Sequence, residues 1–255
     1  MNNRGKIHDG NIPAMENEMI ALSPGDTFRF SCSAEVPCFN ACCQDLNQFL
    51  TPYDILRLKN RLGLRSNIFL EQYTAQHTGP ETGLPVITLK TDHASGLRCP
   101  FVTLAGCRVY EDRPSSCRTY PLVRIVSRSR ETGQMTEQHL LLQERHCHGS
   151  EQDKIQTVRE WIAAQGIAVY NEMNDLLMDI ISLKNRRMPG QIDLKSKYIF
   201  NLACYDLDTF RSRIIEEEIL EDFPIDPDGP DIIQYDDAAL LKLGLKWIKH
   251  NLFGA

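Results

Sequence analysis

Apolar residues in the first half of the chain occur in short runs, which predict short strands and brief helices. "DTFRFSC" (Asp26–Cys32) and "LPVITLK" (Leu84–Lys90) are typical of short strands. "PLVRIVSRS" and "EQHLLLQE" flank a polar stretch centred on Thr132–Gly133, which predicts a β-hairpin. Residues 1–26 show little periodicity, and we expect them to form a loose leading segment.

Two short helices are predicted before residue 80. Thr51 is a favourable N-cap, Pro52 takes the first helical position, and Asp54 lies three residues after the cap. Leucines and an isoleucine follow at helical spacing, and Gly63 can end this helix. Ser66 precedes the pattern "SNIFLEQYTAQH" and is predicted to cap a second helix.

Longer helical patterns begin at Ser150, which stands three residues before Asp153 as in a capping motif. "QTVREWIAAQG" and "IAVYNEMNDLLMDIISLKNRR" predict two helices interrupted near Gly166. "SKYIFNLACYDLDTFRSRIIEE" predicts one further helix, and "DDAALLKLGLKWIKHNLFG" predicts a last one that ends near Gly254. The acidic, proline-bearing "EDFPIDPDGPD" between them predicts a linker or turn.

The change of pattern near residue 150 predicts two units in an α+β fold. We expect residues 27–149 to form a loop-rich cysteine metal-binding module with a short hairpin. Residues 150–255 would form an α-helical region that packs on it, either as a cover or as a small subdomain. Charge changes at the same place, because residues 1–150 carry 16 Lys+Arg and 15 Asp+Glu, and residues 151–255 carry 12 and 19. Such an acidic half argues against broad nucleic-acid binding.

Composition is that of a globular protein, with 42% hydrophobic and 24% charged residues in 255. No apolar run of about 18 residues occurs, so no membrane span is predicted. The leading segment lacks the apolar core of a signal peptide, and we therefore expect the protein in the cytoplasm. Nine cysteines in a reducing compartment seldom form structural disulfides, so their number indicates metal or redox chemistry.

Eight of the nine cysteines lie close enough in sequence to form one site, and we predict that all eight are metal ligands. Thiolates suit iron–sulfur clusters and zinc, and four of them complete one four-iron cluster or one tetrahedral zinc site. Eight are enough for two centres, or for one centre with spare thiols. The spacing matches neither a C-x2-C zinc ribbon nor the C-x2-C-x2-C run of bacterial ferredoxins, so it leaves the metal open. The eight are Cys32, Cys38, Cys42, Cys43, Cys99, Cys107, Cys117 and Cys147.

Alternatives remain open for individual ligands. In extended chain, adjacent side chains point in opposite directions, so Cys42 and Cys43 would not easily serve one metal ion. They could reach two neighbouring metals, or one could ligate while the other packs. His146 and His148 are alternative ligands, although we expect these flanking residues to face solvent. Several cysteines could also be buried free thiols, as we expect for Cys204 on its apolar helix face.

Arginine is concentrated around the later cysteines. Residues 98–130 hold seven arginines against two acids. Four thiolates on Zn²⁺ or on an oxidised four-iron cluster leave a net negative charge, and arginine can donate hydrogen bonds to sulfur or to an anionic ligand. Arg113 and Arg118 bracket Cys117, and we predict that these two side chains bind the cofactor or tune it.

The cysteine segments together resemble the YkgJ-type cysteine-cluster family, which is expected to chelate zinc or iron. The resemblance rests on "FSC…C…CC", "LTPYDILRLKNRLG", "CPF", "CRVYEDRPSSCRTYP" and "CHG" across residues 28–150. The x5 gap between Cys32 and Cys38 is wider than the x2 of the compact family signature. "YDLD-x-FR" (Tyr205–Arg211) and the closing helix are similar to longer bacterial members. Flagellin lysine methylase is a distant relative, so the resemblance also implies an iron–sulfur cluster and methyl transfer from S-adenosylmethionine.

From these features we expect a cytoplasmic iron–sulfur protein, with a four-iron cluster as the favoured cofactor and zinc as the alternative. The sequence leaves open whether it is an enzyme that modifies a protein or small-molecule substrate at the cluster. One alternative is a structural zinc protein that acts as an interaction module. Another is an electron-transfer or redox-sensing protein. Neither nucleic acid nor a membrane is an expected partner.

Overall fold

The first half of the chain folds into short antiparallel strands and the second half into helices, so the predicted α+β class is confirmed. The computed structural model describes residues 18–129, 131–217, 219–220, 223 and 233–254. The strands are β1 (Glu18–Leu22), β2 (Thr27–Arg29), β3 (Phe49–Leu50), β4 (Thr74–Thr78), β5 (Pro85–Leu89), β6 (Val102–Thr103), β7 (Gly106–Cys107), β8 (Leu122–Arg128), β9 (Met135–Gln143) and β10 (Ile155–Thr157). The helices are α1 (Pro52–Leu62), α2 (Ser66–Tyr73), α3 (Ser115–Thr119), α4 (Val158–Ala164), α5 (Ala168–Arg187), α6 (Leu194–Cys204), α7 (Leu207–Glu217) and α8 (Asp237–Phe253).

Strands β8 and β9 form the predicted hairpin, and Gly133 supplies the left-handed residue of its turn with φ 71°. β1 adds to the free edge of β9 in the order β1-β9-β8, with Glu18 opposite Gln143. The prediction of a loose segment over residues 1–26 is therefore wrong for 18–22, while residues 1–17 lie outside the described residues. Five residues carry too little periodicity to reveal a strand whose partner is far away in sequence.

Helix α1 has the predicted start and end. Thr51 Oγ1 accepts from the Asp54 N–H, Asp54 accepts from the Thr51 N–H, and Gly63 ends the helix at φ 65°. The same Asp54 carboxylate is fully buried and also accepts hydrogen bonds from the N–H and the hydroxyl of Ser115. One cap therefore ties α1 to α3, which carries a cysteine.

The prediction that Ser66 caps α2 and the prediction of one helix over "SKYIFNLACYDLDTFRSRIIEE" are both wrong. Ser66 does not cap α2, because Arg65 holds the N-cap position. Instead the Ser66 N–H donates to Asp208 at 2.6 Å, and its hydroxyl donates to Asp206 at 2.6 Å. The single helix predicted over these acidic residues is broken into α6 and α7 at this point. The break places both carboxylates at the N-terminus of α2, where negative charge is favourable.

Ser150 is likewise not a helix cap, since residues His148–Glu151 form a 3-10 turn and β10 follows and pairs with β2. Helix α4 starts later, behind a capping box of Thr157 and Glu160. The predicted interruption at Gly166 and the predicted end of α8 before Gly254 are confirmed. The predicted linker "EDFPIDPDGPD" lies outside the described residues apart from Phe223.

The main core joins both halves of the chain. Leu58, Phe69 and Phe101 from the first half belong to the same buried cluster as Phe200 and Leu240 from the helices. A smaller core groups Phe28, Phe30 and Trp161 with residues of β8 and β9. The division at 149/150 stays a prediction, and the helices pack on the first half through a shared core. Over the part of the chain that the structure describes, no helix has both the length and the apolarity needed to cross a membrane.

Candidate metal centre

The eight clustered cysteines come from four separate segments that contact one another. All nine cysteines are free, and Cys204 is apart from the others, fully buried within α6. Cys32, Cys42 and Cys117 are exposed, and the other five of the cluster are half-buried. The predicted core position of Cys204 is therefore confirmed, and the cluster lies where a ligand or substrate can reach it.

A series of tight turns carries the first group of cysteines. Phe39 N–H donates to the Val36 carbonyl, and Ala41 N–H donates to the Cys38 carbonyl. Asn40 adopts a left-handed conformation with φ 67° and leads into the 3-10 turn Ala41–Cys43. The adjacent cysteines therefore lie on a 3-10 turn and not in extended chain. Successive side chains of such a turn diverge by about 120°.

Backbone pairing brings Cys99 to Cys43. The Cys99 N–H donates to the Cys43 carbonyl at 2.9 Å. Gln44 and Arg98 form an antiparallel bridge next to it, and the Asp45 N–H donates to the Leu97 carbonyl at 3.0 Å. Two segments that are more than 50 residues apart in sequence are thus joined as a short two-stranded ladder beside the thiols.

The β6–β7 hairpin presents Cys107 to the same loop. Cys107 pairs with Val102, and Gly106 before it has φ 114°, a conformation that favours glycine. The ring of Phe39 lies close over Gly106, and Asn40 Nδ2 donates to the Thr103 carbonyl at 3.0 Å. Both contacts hold the hairpin against the turns that carry the first cysteines.

Cys117 lies in the short helix α3, which the buried Asp54 anchors at Ser115. Its thiol donates a hydrogen bond of 3.4 Å to Oε1 of Gln48, whose Nε2 donates to the Ser116 hydroxyl. Although Cys117 is exposed as a residue, the protein atoms packed around its sulfur and the neighbouring thiolate of Cys99 together raise its pKa to about 12. Gln48 is a contact that no sequence motif indicates.

Cys147 reaches the cluster from the segment after β9. The backbone N–H of His148 donates to Sγ of Cys38 at 3.1 Å, and the Ser31 N–H donates to the Gly149 carbonyl at 3.0 Å. Gly149 packs so closely on the ring of Phe30 that a Cβ there would collide with it. The glycine of "CHG" is thus required by a close approach that places Cys147 next to Cys38.

The thiols influence one another's ionisation, which shows how close they are. Burial raises the pKa of Cys32, and the thiolates of Cys42, Cys38 and Cys147 raise it further. A hydrogen bond from Cys43 lowers the pKa of Cys42 to about 7, whereas the pKa of Cys43 is raised by the same bond and by burial. A thiol that ionises near neutral pH is ready to bind a metal ion.

This donor set fits a thiolate-bound metal or cluster. Negative charge is disfavoured at these mutually repelling thiols, and a bound cation would remove that repulsion. Among the described residues, however, no three His, Cys, Asp or Glu side chains are already drawn together around one point. Closure on an ion would come from rotation of the thiols, since exposed cysteine side chains such as Cys32 and Cys42 turn freely.

Arg113 and Arg118, which the sequence predicts as cofactor-binding residues, are buried beside the cluster. Arg118 donates to the carbonyls of Gln165 and Glu111 and lies over the ring of Tyr170. Arg113 donates to the Tyr110 carbonyl and to the Gln165 side chain. Both side chains fasten the cysteine module to the end of α4. Their role as cofactor-binding residues stays a prediction, with hydrogen bonds to the protein itself as their described contacts.

Positive charge still acts on the thiols. Burial raises the pKa of Cys107, and the guanidinium charges of Arg113 and Arg108 act against that increase. Arg108 acts in the same sense on Cys99, whose pKa burial also raises. Arg108 was missed as a site residue, because in sequence it is one of seven arginines with nothing to distinguish it.

The two histidines beside Cys147 direct their rings to carboxylates. His148 Nδ1 lies 3.0 Å from Glu151 Oε2, and His146 Nε2 lies 3.6 Å from Glu144 Oε2. The His146 ring is exposed and the His148 ring is partly exposed, as expected of residues that face solvent. The imidazoles therefore have carboxylate partners at the edge of the cluster.

An open groove of about 600 Å³ lies next to Cys99. Its wall is mixed in character, with the Tyr73 ring, the charged side chains Lys90, Asp92 and Arg98, and Cys99 itself. The groove is large enough for a small molecule or for the side chain of another protein. Cys99, a member of the cysteine cluster, forms part of the wall of this groove.

Comparison with known proteins agrees with the cysteine motifs. A family model described as "CxxCxxCC: Putative zinc- or iron-chelating domain" matches residues 31–148. No curated protein and no solved structure matches the chain. The matched range includes all eight clustered cysteines and both bracketing arginines. Over residues 31–148 the chain is therefore similar to the cysteine-cluster family of zinc- or iron-chelating domains that the motifs resemble.

Proposed function

We propose that the protein carries an iron–sulfur centre bound by its clustered cysteines. The observation that carries the proposal is the contact between the four segments that hold eight free thiols. Thiolate sulfur is the usual protein ligand of iron–sulfur clusters, and the cluster of side chains offers this donor in quantity. All nine cysteines are free, which suits a reducing compartment, and we place the protein in the cytoplasm.

Two contacts are consistent with an iron–sulfur centre. A backbone N–H donates to the sulfur of Cys38, and guanidinium charge lies near Cys107 and Cys99. Hydrogen bonds to sulfur and nearby charge are the means by which proteins set cluster reduction potentials. Zinc bound by four thiolates is the alternative, because the same thiols satisfy a closed tetrahedral site.

Catalysis at the metal centre is a second candidate function, and the groove beside Cys99 supports it as a place for a substrate. An iron–sulfur cluster supplies electron transfer, or an open coordination position where one iron lacks a thiolate. Lys90 and Arg98 give the groove two cations for an anionic group of a substrate, and Asp92 gives it an anion for an amino group. A small molecule that carries both charges, such as S-adenosylmethionine, matches this lining.

Metal and acid-labile sulfide analysis of protein purified without oxygen tests the first proposal. We expect iron with matching sulfide and a broad visible absorption band. A Cys99→Ala variant should lose metal, whereas Cys204→Ala should retain it, because Cys204 is remote and buried. Zinc without sulfide would indicate a structural metal site and would exclude redox chemistry and methyl transfer as functions. Protein that binds neither metal would refute the proposal.

Calorimetric titration of the metal-loaded protein with S-adenosylmethionine tests the second candidate. We expect binding that weakens at least tenfold in Arg98→Ala, since one cation of the groove is removed. Arg159→Ala is the matched control, because Arg159 is exposed in α4, away from the groove residues. Metal-loaded protein without measurable binding would exclude this ligand.

A further inference from the structure

Three basic side chains lie together at the groove whose wall includes Cys99. Lys90 and Arg98 line this groove. Arg108 donates a hydrogen bond to the hydroxyl of Tyr73 at 3.3 Å, and Tyr73 lines the groove as well. The third cation is therefore next to the other two, and all three basic residues are exposed.

Among the residues that the structure describes, none of these three cations has a carboxylate partner. Lys90 donates to the backbone carbonyl of Glu71, which is a neutral acceptor. Asp92 also lines the groove, but its carboxylate accepts a hydrogen bond from the Ala94 N–H at 3.0 Å and caps a short turn. The whole chain has a net charge of −6, so this group of cations departs from the overall charge and would attract an acidic partner.

An exposed leucine stands beside these cations. Leu104 is 95% exposed, the largest exposed fraction among the large apolar side chains that the structure describes. It lies in the turn between β6 and β7, where Val102 of β6 lines the groove and Arg108 directly follows β7. A partner that covers Leu104 would gain from its burial, while the cations would direct the approach of that partner.

From this arrangement we propose that Lys90, Arg98, Arg108 and Leu104 form a docking surface for a small acidic protein that carries single electrons. The inference rests on the proposed iron–sulfur centre, because such a centre transfers electrons to or from another molecule. Cys99 belongs to the wall of the same groove, so a carrier bound here is adjacent to a thiol of the cluster. One electron leaves the carrier, which is oxidised, and reduces the centre, and no bond forms or breaks. A few charges around a small apolar contact suit a transient electron-transfer complex, which typically buries less than about 1,200 Å².

Stopped-flow measurement of electron transfer from a reduced small acidic ferredoxin to the iron-loaded protein, without oxygen, tests the docking surface. Lys90→Glu combined with Arg98→Glu reverses two charges and should lower the second-order rate constant about tenfold or more at low ionic strength. Rates are compared per centre, with iron and sulfide measured for each protein. Arg159→Glu is the matched control and should react as the wild type does, because Arg159 is exposed in α4 and outside the groove.

Leu104→Asp tests the apolar part of the docking surface. An acid at this position should slow electron transfer from the ferredoxin, since it removes the apolar contact and repels an acidic partner. Reduced methyl viologen is a small molecule that needs no docking surface, and it should reduce this variant at the wild-type rate. Equal slowing with both reductants would mean that the substitution damages the centre, and Leu104 would then have no role in docking.

Ionic strength gives a second measurement on the wild-type protein, which needs no variant. The rate constant with the ferredoxin should fall about tenfold between about 0.01 M and 0.15 M, because salt screens the attraction between exposed charges. A rate constant that is independent of ionic strength, or equal in the double variant and in Arg159→Glu, would overturn the docking surface. Protein without iron and sulfide would refute the proposed centre itself and remove the electron acceptor with it, which is a different result.

Discussion

The backbone N–H of His148 donates a hydrogen bond to the Sγ atom of Cys38 across 3.1 Å. The donor is held in place by the 3-10 turn His148–Glu151 and by the Ser31 N–H bond to the Gly149 carbonyl. A main-chain donor to sulfur is thus fixed by the fold before any metal binds. Such bonds stabilise a thiolate and raise the reduction potential of a cluster that it holds.

His148→Pro removes this N–H with little other change, and we expect it to weaken metal binding. Proline is favourable at the first position of a helical turn, and Cys147 before it has φ −99° and ψ 110°, which proline tolerates. The loss of a hydrogen bond to a charged sulfur is expected to cost about 1.5–3 kcal/mol, or roughly tenfold to a hundredfold in affinity. Competition with a chelator of known affinity measures this change.

His148→Ala is the matched control, because it removes the imidazole and keeps the N–H. It should bind metal as the wild type does, since the ring lies beside Glu151 at the surface. If both variants lost affinity equally, the imidazole would be the functional group and the N–H contact would be irrelevant.

Local signals account for the parts of the fold that sequence predicted. The cap at Thr51, the stop at Gly63 and the hairpin turn at Gly133 each depend on residues within four positions of one another. The strand β1 and the role of Ser66 depend on contacts with β9 and α7, far along the chain. Such tertiary contacts override local propensity and leave no local pattern.

Some residues of the candidate site could likewise be predicted from the sequence, and others become apparent only in the folded chain. Cysteine is rare and chemically distinctive, so its spacing alone indicated the eight candidate ligands. Gln48 and Arg108 are common residue types whose positions beside Cys117 and Cys107 exist only in the folded chain. Arg118 was predicted from its proximity in sequence to Cys117, yet its guanidinium turns to the carbonyls of Glu111 and Gln165. Closeness in sequence does not fix the direction of a long side chain.

Arg118→Ala should destabilise the fold without changing metal content per folded chain. The substitution leaves two carbonyls without their donor and removes the contact with Tyr170, at an expected cost on the order of 3 kcal/mol. The stability of Arg118→Lys should lie between that of the wild type and that of Arg118→Ala, because an ammonium group cannot span both carbonyls as a guanidinium does. Denaturant unfolding gives the stability. Metal loss at unchanged stability would instead support the predicted role of Arg118 in cofactor binding.

Gly149→Ala should destabilise the protein and lower its metal content together. The added Cβ would collide with the ring of Phe30, which is packed edge-on against Tyr120 at 5.8 Å and Trp161 at 5.4 Å. Overpacking of this kind typically costs about 1–3 kcal/mol, and here it also displaces Cys147 from Cys38. Gly25→Ala is the control, because the space beside Gly25 is open. Equal stability of the two variants, measured by thermal unfolding, would contradict the close packing.

The ion pair between Lys59 in α1 and Asp237 in α8 predicts that the stability of the protein depends on pH. Burial alone would raise the pKa of Asp237, but hydrogen bonds from Arg211 and Asn60 and the charge of Lys59 outweigh it and lower the pKa to about 2. Lys59 lies 3.1 Å from Asp237 and is itself buried. In the unfolded chain the carboxylate returns to its ordinary pKa near 4.

The unfolded state therefore binds more protons than the folded state between about pH 4 and pH 2, and stability falls as the pH falls through this range. The contribution of Asp237 is fully present above about pH 4 and amounts to about 2 kcal/mol. Asp237→Asn should lower the free energy of unfolding at neutral pH, where Lys59 and Arg211 lose one of their partners. It should also flatten the acid limb of the stability curve.

The difference in unfolding free energy between Asp237→Asn and wild type, followed from pH 7 to pH 2, measures the effect of this carboxylate. Any release of metal by acid is common to both proteins and cancels in the difference. The gap should be largest at neutral pH and should close toward pH 2, where wild-type Asp237 becomes protonated. Asp153→Asn, at an exposed position, should show no such gap. A constant gap for Asp237→Asn would mean that hydrogen bonding and packing, and not charge, join α1 to α8.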